Sequence, residues 1–146
     1  MGMNADDLLD ELKAANRAFY VALENLDPDA MTAAWDHGDD VACIHPGWQI
    51  TRGWPGVRAT WQAIFANTDF MKFAVSDVSA VLDGTVGRVH CRENIYSLAD
   101  GRQIHSQVAA TNLFVRRGGA WKMVLHHGSP IAGATGVGRA VDPTSH

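Results

Sequence analysis

The sequence predicts an α+β domain, three N-terminal helices packed in a strongly curved mixed or antiparallel sheet, and three observations lead there. Apolar residues recur at helical spacing only over residues 6–65. Four long segments of strand character follow, over residues 71–82, 86–98, 102–117 and 120–129. Asp83-Gly84, Asp100-Gly101 and Gly118-Gly119 separate those segments, and such pairs make the tight turns of antiparallel hairpins.

Leu8, Leu12, Ala15, Phe19, Ala22 and Leu26 lie at spacings of four and three, which places one apolar stripe along a helix over residues 6–26. Asp27-Pro28-Asp29 then supplies an N-cap and a proline at the first helical position. Met31, Ala34 and Trp35 face inward on this second helix, expected to stop near Gly38. Residues 41–45 and 49–51 read as two short strands joined by Pro46-Gly47-Trp48. A third helix begins at Trp54-Pro55 and turns Val57, Trp61, Ile64 and Phe65 inward.

A single domain over residues 6–130 is expected, with a disordered N-terminus over 1–5 and a flexible or partner-draped tail over 131–146. The tail's GATGVGRA has no Walker lysine and fits no strand-to-helix pattern, so it is not read as a phosphate loop. A formal charge of -4, spread along the chain, argues against a nucleic-acid or polybasic membrane partner. Neither a signal peptide nor an apolar run long enough to span a membrane is visible, so a cytoplasmic protein is expected. Cys43 and Cys91 sit in apolar runs and read as buried free thiols.

Strict alternation sorts the strands into faces. Arg88, His90, Arg92, Asn94 and Tyr96 oppose Val89, Cys91, Glu93 and Ile95. Asn112 shares a face with Val108, Ala110 and Phe114, and His126 shares one with Lys122 and Val124. Arg92 has two readings, a ligand contact or an ion pair with Glu93 or another acidic neighbour on a sheet rim. An amide such as Asn112 in an apolar strand needs partners or a ligand. His45, His126 and His127 raise the question of a metal, but adjacent strand residues point to opposite faces, so no metal site is expected. Cys43 with His45 lacks an orienting third group for a nucleophile pair.

This pattern over residues 8–130 resembles the nuclear transport factor 2-like superfamily, with its three helices in a curved antiparallel sheet. Residues 101–130, GRQIHSQVAATNLFVRRGGAWKMVLHHGSP, resemble the final hairpin of the calcium/calmodulin-dependent protein kinase II association domain and of SnoaL-like proteins. Trp35, Asp39-Asp40 and Ile44-His45-Pro46 are similar to the segment of ketosteroid isomerases whose residue before the proline is the catalytic carboxylate. Here His45 takes that place, and a histidine titrates near neutrality, so it is a competent acid or base. The isomerases' phenol falls near Phe19, with Tyr20 adjacent, and their neutral acid near Thr111 or Asn112, so a steroid isomerase is not expected. In the kinase domain the cavity is lined by arginines, two of whose positions match Arg92 and Asn112.

The resemblance implies a small-molecule-binding domain, acting without a cofactor as an isomerase, dehydratase or hydrolase with His45 as general acid or base. The expected ligand is polar or weakly anionic. Arg92, Asn112, Tyr20 and one of His126 or His127 would orient it, with Trp35, Trp61 and Phe65 as apolar walls. A homodimer through the uncovered sheet face is expected as well. The alternative is a non-catalytic association module with a vestigial pocket.

Overall fold

The structure is a computed structural model that describes residues 3–133 and the backbone of 136–139. Helix α1 runs Ala5–Glu24, with Asn4 accepting a hydrogen bond from the Asp7 amide at 2.8 Å and Asp6 and Asp7 complementing the helix dipole. Helix α2, Pro28–Ala34, starts on Asp27, whose carboxylate accepts the Asp29 and Ala30 amides at 3.1 Å each. It ends earlier than the expected Gly38, because Trp35 turns extended, bridges Met123 and leaves the Asp36 amide donating to the Met123 carbonyl at 3.0 Å. Strands β1, Ala42–Ile44, and β2, Thr51–Arg52, lead into helix α3, Trp54–Ala66.

The four long strands are β3 (Phe70–Asp83), β4 (Val86–Ala99), β5 (Arg102–Arg117) and β6 (Ala120–Pro130). The sheet runs β2-β1-β6-β5-β4-β3, antiparallel except where β1 lies parallel to β6. Strand β7, Gly136–Arg139, pairs with β5 over Arg102 to His105, beyond the point where β6 ends at Pro130. Within the tail expected to be flexible or partner-draped, residues 136–139 form a strand, while residues 1, 2, 134, 135 and 140–146 lie outside the described residues.

Helix α1 lies against β3, β4 and β6, so the helices fill the concave side of the sheet. Leu12, Phe19, Val57, Val89, Phe114 and Met123 are fully buried between them. Approach is close where α1 crosses β4, for a Cβ on Gly87 would stand 2.5 Å from Leu12 Cδ1.

Strict alternation holds on β4 and β5 but fails on β6. The β5 partner of Leu113 is Leu125, whereas the next residue, Phe114, faces Met123, so Val124 is an extra, bulged residue. His126 consequently shares the inner face with Trp121 and Met123, not the face of Lys122 and Val124 expected from the sequence.

Candidate active site

The concave side carries a buried polar cluster on an otherwise apolar floor. Tyr20 from α1 donates to Glu93 Oε2 of β4 at 2.5 Å, and both are almost completely buried. Asn112 of β5 directs its amide nitrogen to Asn16 Oδ1 at 2.9 Å and to Tyr20 Oη at 3.1 Å. Its amide oxygen lies 2.7 Å from His126 Nδ1. An amide oxygen only accepts, so His126 carries its proton on Nδ1 and presents an unprotonated Nε2, which stands 3.9 Å from Glu93 Oε2.

His45 reaches the same cluster from the end of β1. Pro46-Gly47 turns the chain there, with Gly47 at φ 82° and the Trp48 amide donating to the His45 carbonyl at 2.8 Å. The turn seats Pro46 on Gly128 of β6, where a Cβ would come within 3.0 Å of Pro46 Cγ. The His45 ring packs edge-on to Trp61 at 4.5 Å and to Trp48 at 4.8 Å. Thr60 spends its hydroxyl proton on the Val57 carbonyl, so it accepts from His45 Nε2 at 2.8 Å. That leaves His45 Nδ1 as the lone-pair atom.

Burial controls the protonation of these groups. It pushes Glu93 up from the ordinary carboxyl value to about 7, against the opposing hydrogen bond from Tyr20. It lowers His45 to about 4. Burial, with the neighbouring His45 and His127, lowers His126 to about 3. The Tyr20 phenol and the Cys43 and Cys91 thiols are all raised, chiefly by burial, so neither cysteine is a thiolate at neutral pH. Cys43 lies 3.5 Å from His45 Nε2 as a neutral neighbour.

A cavity of about 160 Å³ opens onto this cluster. His45, Glu93 and His126 provide its polar wall, while Trp61, Phe73, Ile95 and Met71 are among its apolar walls. Trp48 also lines it and is 48% exposed, which makes it the mouth. The Trp61 indole N–H is buried with no acceptor among the described residues.

Of the residues named from the sequence, His45, His126 and Trp61 meet at this cavity. Tyr20 and Asn112 lie behind it and orient Glu93 and His126. Phe65 stands beside Trp61, 6.1 Å between ring centroids, outside the cavity wall. Trp35 is buried against Trp54 and does not reach the cavity. Arg92 is on the outer face of β4, exposed and 3.4 Å from Asp77, because alternation turns it away from its neighbour Glu93. His127 is likewise exposed on the outer face. Glu93, Asn16 and Thr60 escaped the sequence reading. For Glu93 the signal was present, a carboxylate in register with Val89, Cys91 and Ile95 on the core-facing side.

Among the described residues, no three His, Cys, Asp or Glu side chains stand close enough to hold a metal ion. No described helix is long and apolar enough to cross a membrane.

The SnoaL-like domain model matches residues 12–133, most of the chain. The chain belongs to the SnoaL-like family. A provisionally named dehydratase of the NTF2-like family from Streptomyces avermitilis superposes with a TM-score of 0.83 at 33% identity, covering 88% of this chain and 99% of that one. A provisionally named calcium/calmodulin-dependent protein kinase type II association domain from Thiobacillus denitrificans gives 0.73 at 33% identity, covering 82% and 94%. A Caulobacter vibrioides protein with a cystatin-like fold gives 0.72 at 18% identity, covering 85% and 89%, and shares the fold. Among curated proteins, the F-box protein SKIP8 of Arabidopsis thaliana is 28% identical over 116 residues, 80% of this chain. The chain spans about half the length of that relative, 48%. This SnoaL-like chain thus has the nuclear transport factor 2-like fold expected from its sequence.

Proposed function

We propose that this SnoaL-like domain binds a compact, uncharged carbonyl or hydroxy-carbonyl compound and dehydrates or isomerises it by proton transfer, without a cofactor. The observation that carries the reading is that Glu93, raised by burial to about 7, lines one mostly apolar cavity together with two neutral imidazoles, His45 and His126, the latter's Nε2 3.9 Å from its carboxyl. His45 Nδ1 is the general base that removes a proton from the carbon beside the carbonyl. Protonated Glu93 is the general acid that gives a proton to the departing hydroxyl or to the carbonyl oxygen. His126 Nε2, beside Glu93, accepts a hydrogen bond from the ligand.

The cavity's size and charge favour this ligand class. A space of about 160 Å³ matches a single substituted ring, since a cavity of about 150 Å³ holds benzene. No lysine or arginine lines it, so an anion would lose hydration there with no cation to offset the loss. The weakly anionic ligand expected from Arg92 has no counter-charge inside. The unpartnered Trp61 N–H offers a donor for a neutral acceptor. The name of the Streptomyces avermitilis relative, 33% identical, supports a dehydratase within this class.

The test is a panel of uncharged cyclic β-hydroxy ketones, read by the ultraviolet absorbance of the enone product. His45→Ala and Glu93→Gln are each expected to lower kcat/KM about 100-fold or more. Wild-type activity should fall as pH rises through about 7, where Glu93 loses its proton, and Glu93→Gln should abolish that limb. Turnover indifferent to both substitutions would sink the assignment.

The reading includes a homodimer through the outer sheet face, which no described helix covers. Light scattering at micromolar concentration should give about twice the chain mass of 15.8 kDa, and a monomer would overturn this part. The association-module alternative predicts the dimer without turnover.

A further inference from the structure

A second and larger depression shares Phe73 with the inner cavity and is lined also by Tyr20, whose ring stands 5.5 Å from that of Phe73. It is a groove of about 480 Å³ between α1 and β3. Lys13, Arg17, Val21 and Glu24 line it at spacings of four, four and three, a single face of α1. Val75 and Val78 line it from β3.

The groove combines apolar walls with unneutralised positive charge. Val21 and Val78, on opposite sides, remain 54% and 48% exposed. Val78 is unpacked because the β3–β4 register slips between Ser76 and Ser79, with Asp77 at φ 52°. Among the described residues, no carboxylate lies within 4.0 Å of Lys13 or Arg17. Glu24 stands seven residues beyond Arg17, about 10 Å along the helix. The groove is therefore cationic at one end and anionic at the other, with Val21, Phe73, Val75 and Val78 as apolar walls between them and Asn16 and Tyr20 also in its lining.

We infer that this groove binds an amphipathic monocarboxylate, its carboxylate against Lys13 and Arg17 and its hydrocarbon body along Val21, Val75 and Val78. Charge complementarity selects the occupant: the paired cations suit a carboxylate fork, the valines suit an aliphatic chain, and Glu24 repels a second anion at the far end. The inner cavity takes an uncharged molecule and the groove an anionic one, so the two sites do not compete. This proposal stands apart from the acid–base reading.

Titration calorimetry on the full chain with octanoate, octanol and suberate tests it. Octanoate is expected to bind once per chain, with octanol and suberate each at least tenfold weaker, and the octanoate affinity should fall with added salt. Arg17→Gln and Lys13→Gln/Arg17→Gln should weaken octanoate at least fivefold and tenfold. Val78→Asp, a change at an exposed site, should weaken it at least tenfold. Failure of octanoate to bind, suberate binding as tightly as octanoate, or unchanged affinity in the double variant or in Val78→Asp would overturn the proposal. Trp48→Ala, at the exposed mouth of the inner cavity and outside the groove, leaves octanoate binding unchanged under this reading; its loss there would move the ligand to the inner cavity and equally overturn it.

Discussion

Arg92 and Glu93 are neighbours in the chain and opposites in environment. The alternation of β4 leaves Arg92 in solvent, beside Asp77, and sends Glu93 into the concave side, 3% exposed. Among the described residues, Arg92 reaches only the exposed carboxylate of Asp77. Glu93 has exchanged water for one phenol, so its proton is held up to about 7. Charged residues on a sheet acquire chemistry when they lose solvent, and the same strand supplies one that did and one that did not.

The contrast between the two faces is sharpest for their asparagines. Asn112 is fully buried and joins Asn16, Tyr20 and His126, whereas Asn94 on the outer face of β4 bonds Ser76 Oγ and the Ala74 carbonyl near solvent. Asn112→Ala should cost about 4 kcal/mol in urea denaturation, since it opens a cavity and leaves two buried groups unpaired. Asn94→Ala should cost about 1 kcal/mol or less. Equal costs would dissolve the distinction between the faces.

Glu93→Gln comes next in size and carries a pH signature. A carboxyl raised from 4.5 to about 7 binds its proton more tightly folded than unfolded. Its contribution to stability is fully present below 4.5 and is lost as pH rises to about 7. Glutamine is immune to this loss. The stability of Glu93→Gln relative to wild type should therefore grow by about 3 kcal/mol between pH 5 and pH 9. A difference that stays flat across that range would show that Glu93 titrates normally. The histidines act in the other direction: His45 and His126, lowered to about 4 and 3, stabilise above their unfolded value of 6.5 and withdraw that support as pH falls.

Much of this arrangement was legible in the residues. Turn pairs and periodicity located the three helices and the long strands to within a few residues, because Asp-Gly and Gly-Gly punctuate extended chains strongly. Alternation correctly set Glu93 against Arg92 and grouped Asn112 with Val108, Ala110 and Phe114. The bulge at Val124 was not legible, since Met123, Val124 and Leu125 are all apolar and nothing marks the extra residue, yet it decides that His126 faces inward. Trp35 was misplaced for a related reason: α2 unwinds one residue before it, under the pull of a bridge to Met123 that is 88 positions distant. The partners of Asn112 were equally hidden, as Asn16 lies 96 residues away and only the fold joins them.

Between the buried network and the surface stands Gly128. An alanine there would bring its Cβ to 3.0 Å from both Pro46 Cγ and Val108 Cγ1, so the His45-Pro46 turn must shift by a few tenths of an ångström. Gly128→Ala should cost about 1 to 2 kcal/mol and weaken any ligand that depends on His45. Unchanged affinity for a cavity ligand would separate His45 from recognition.

The smallest effect belongs to Arg92, and it bears most directly on the charge of the ligand. Its ion pair with Asp77 spans 3.4 Å between side chains 46% and 70% exposed, and such pairs contribute about 0 to 1 kcal/mol, less in salt. Arg92→Gln should leave the denaturation midpoint nearly unchanged and disappear as a difference in high salt. It should also leave the affinity for an uncharged cavity ligand unaltered, because the sheet itself lies between the guanidinium and Glu93. If Arg92→Gln instead weakened such a ligand tenfold, the outer face would be part of the binding site. The division of β4 into a chemical side and a solvated side would then fail, and with it the case for an uncharged substrate.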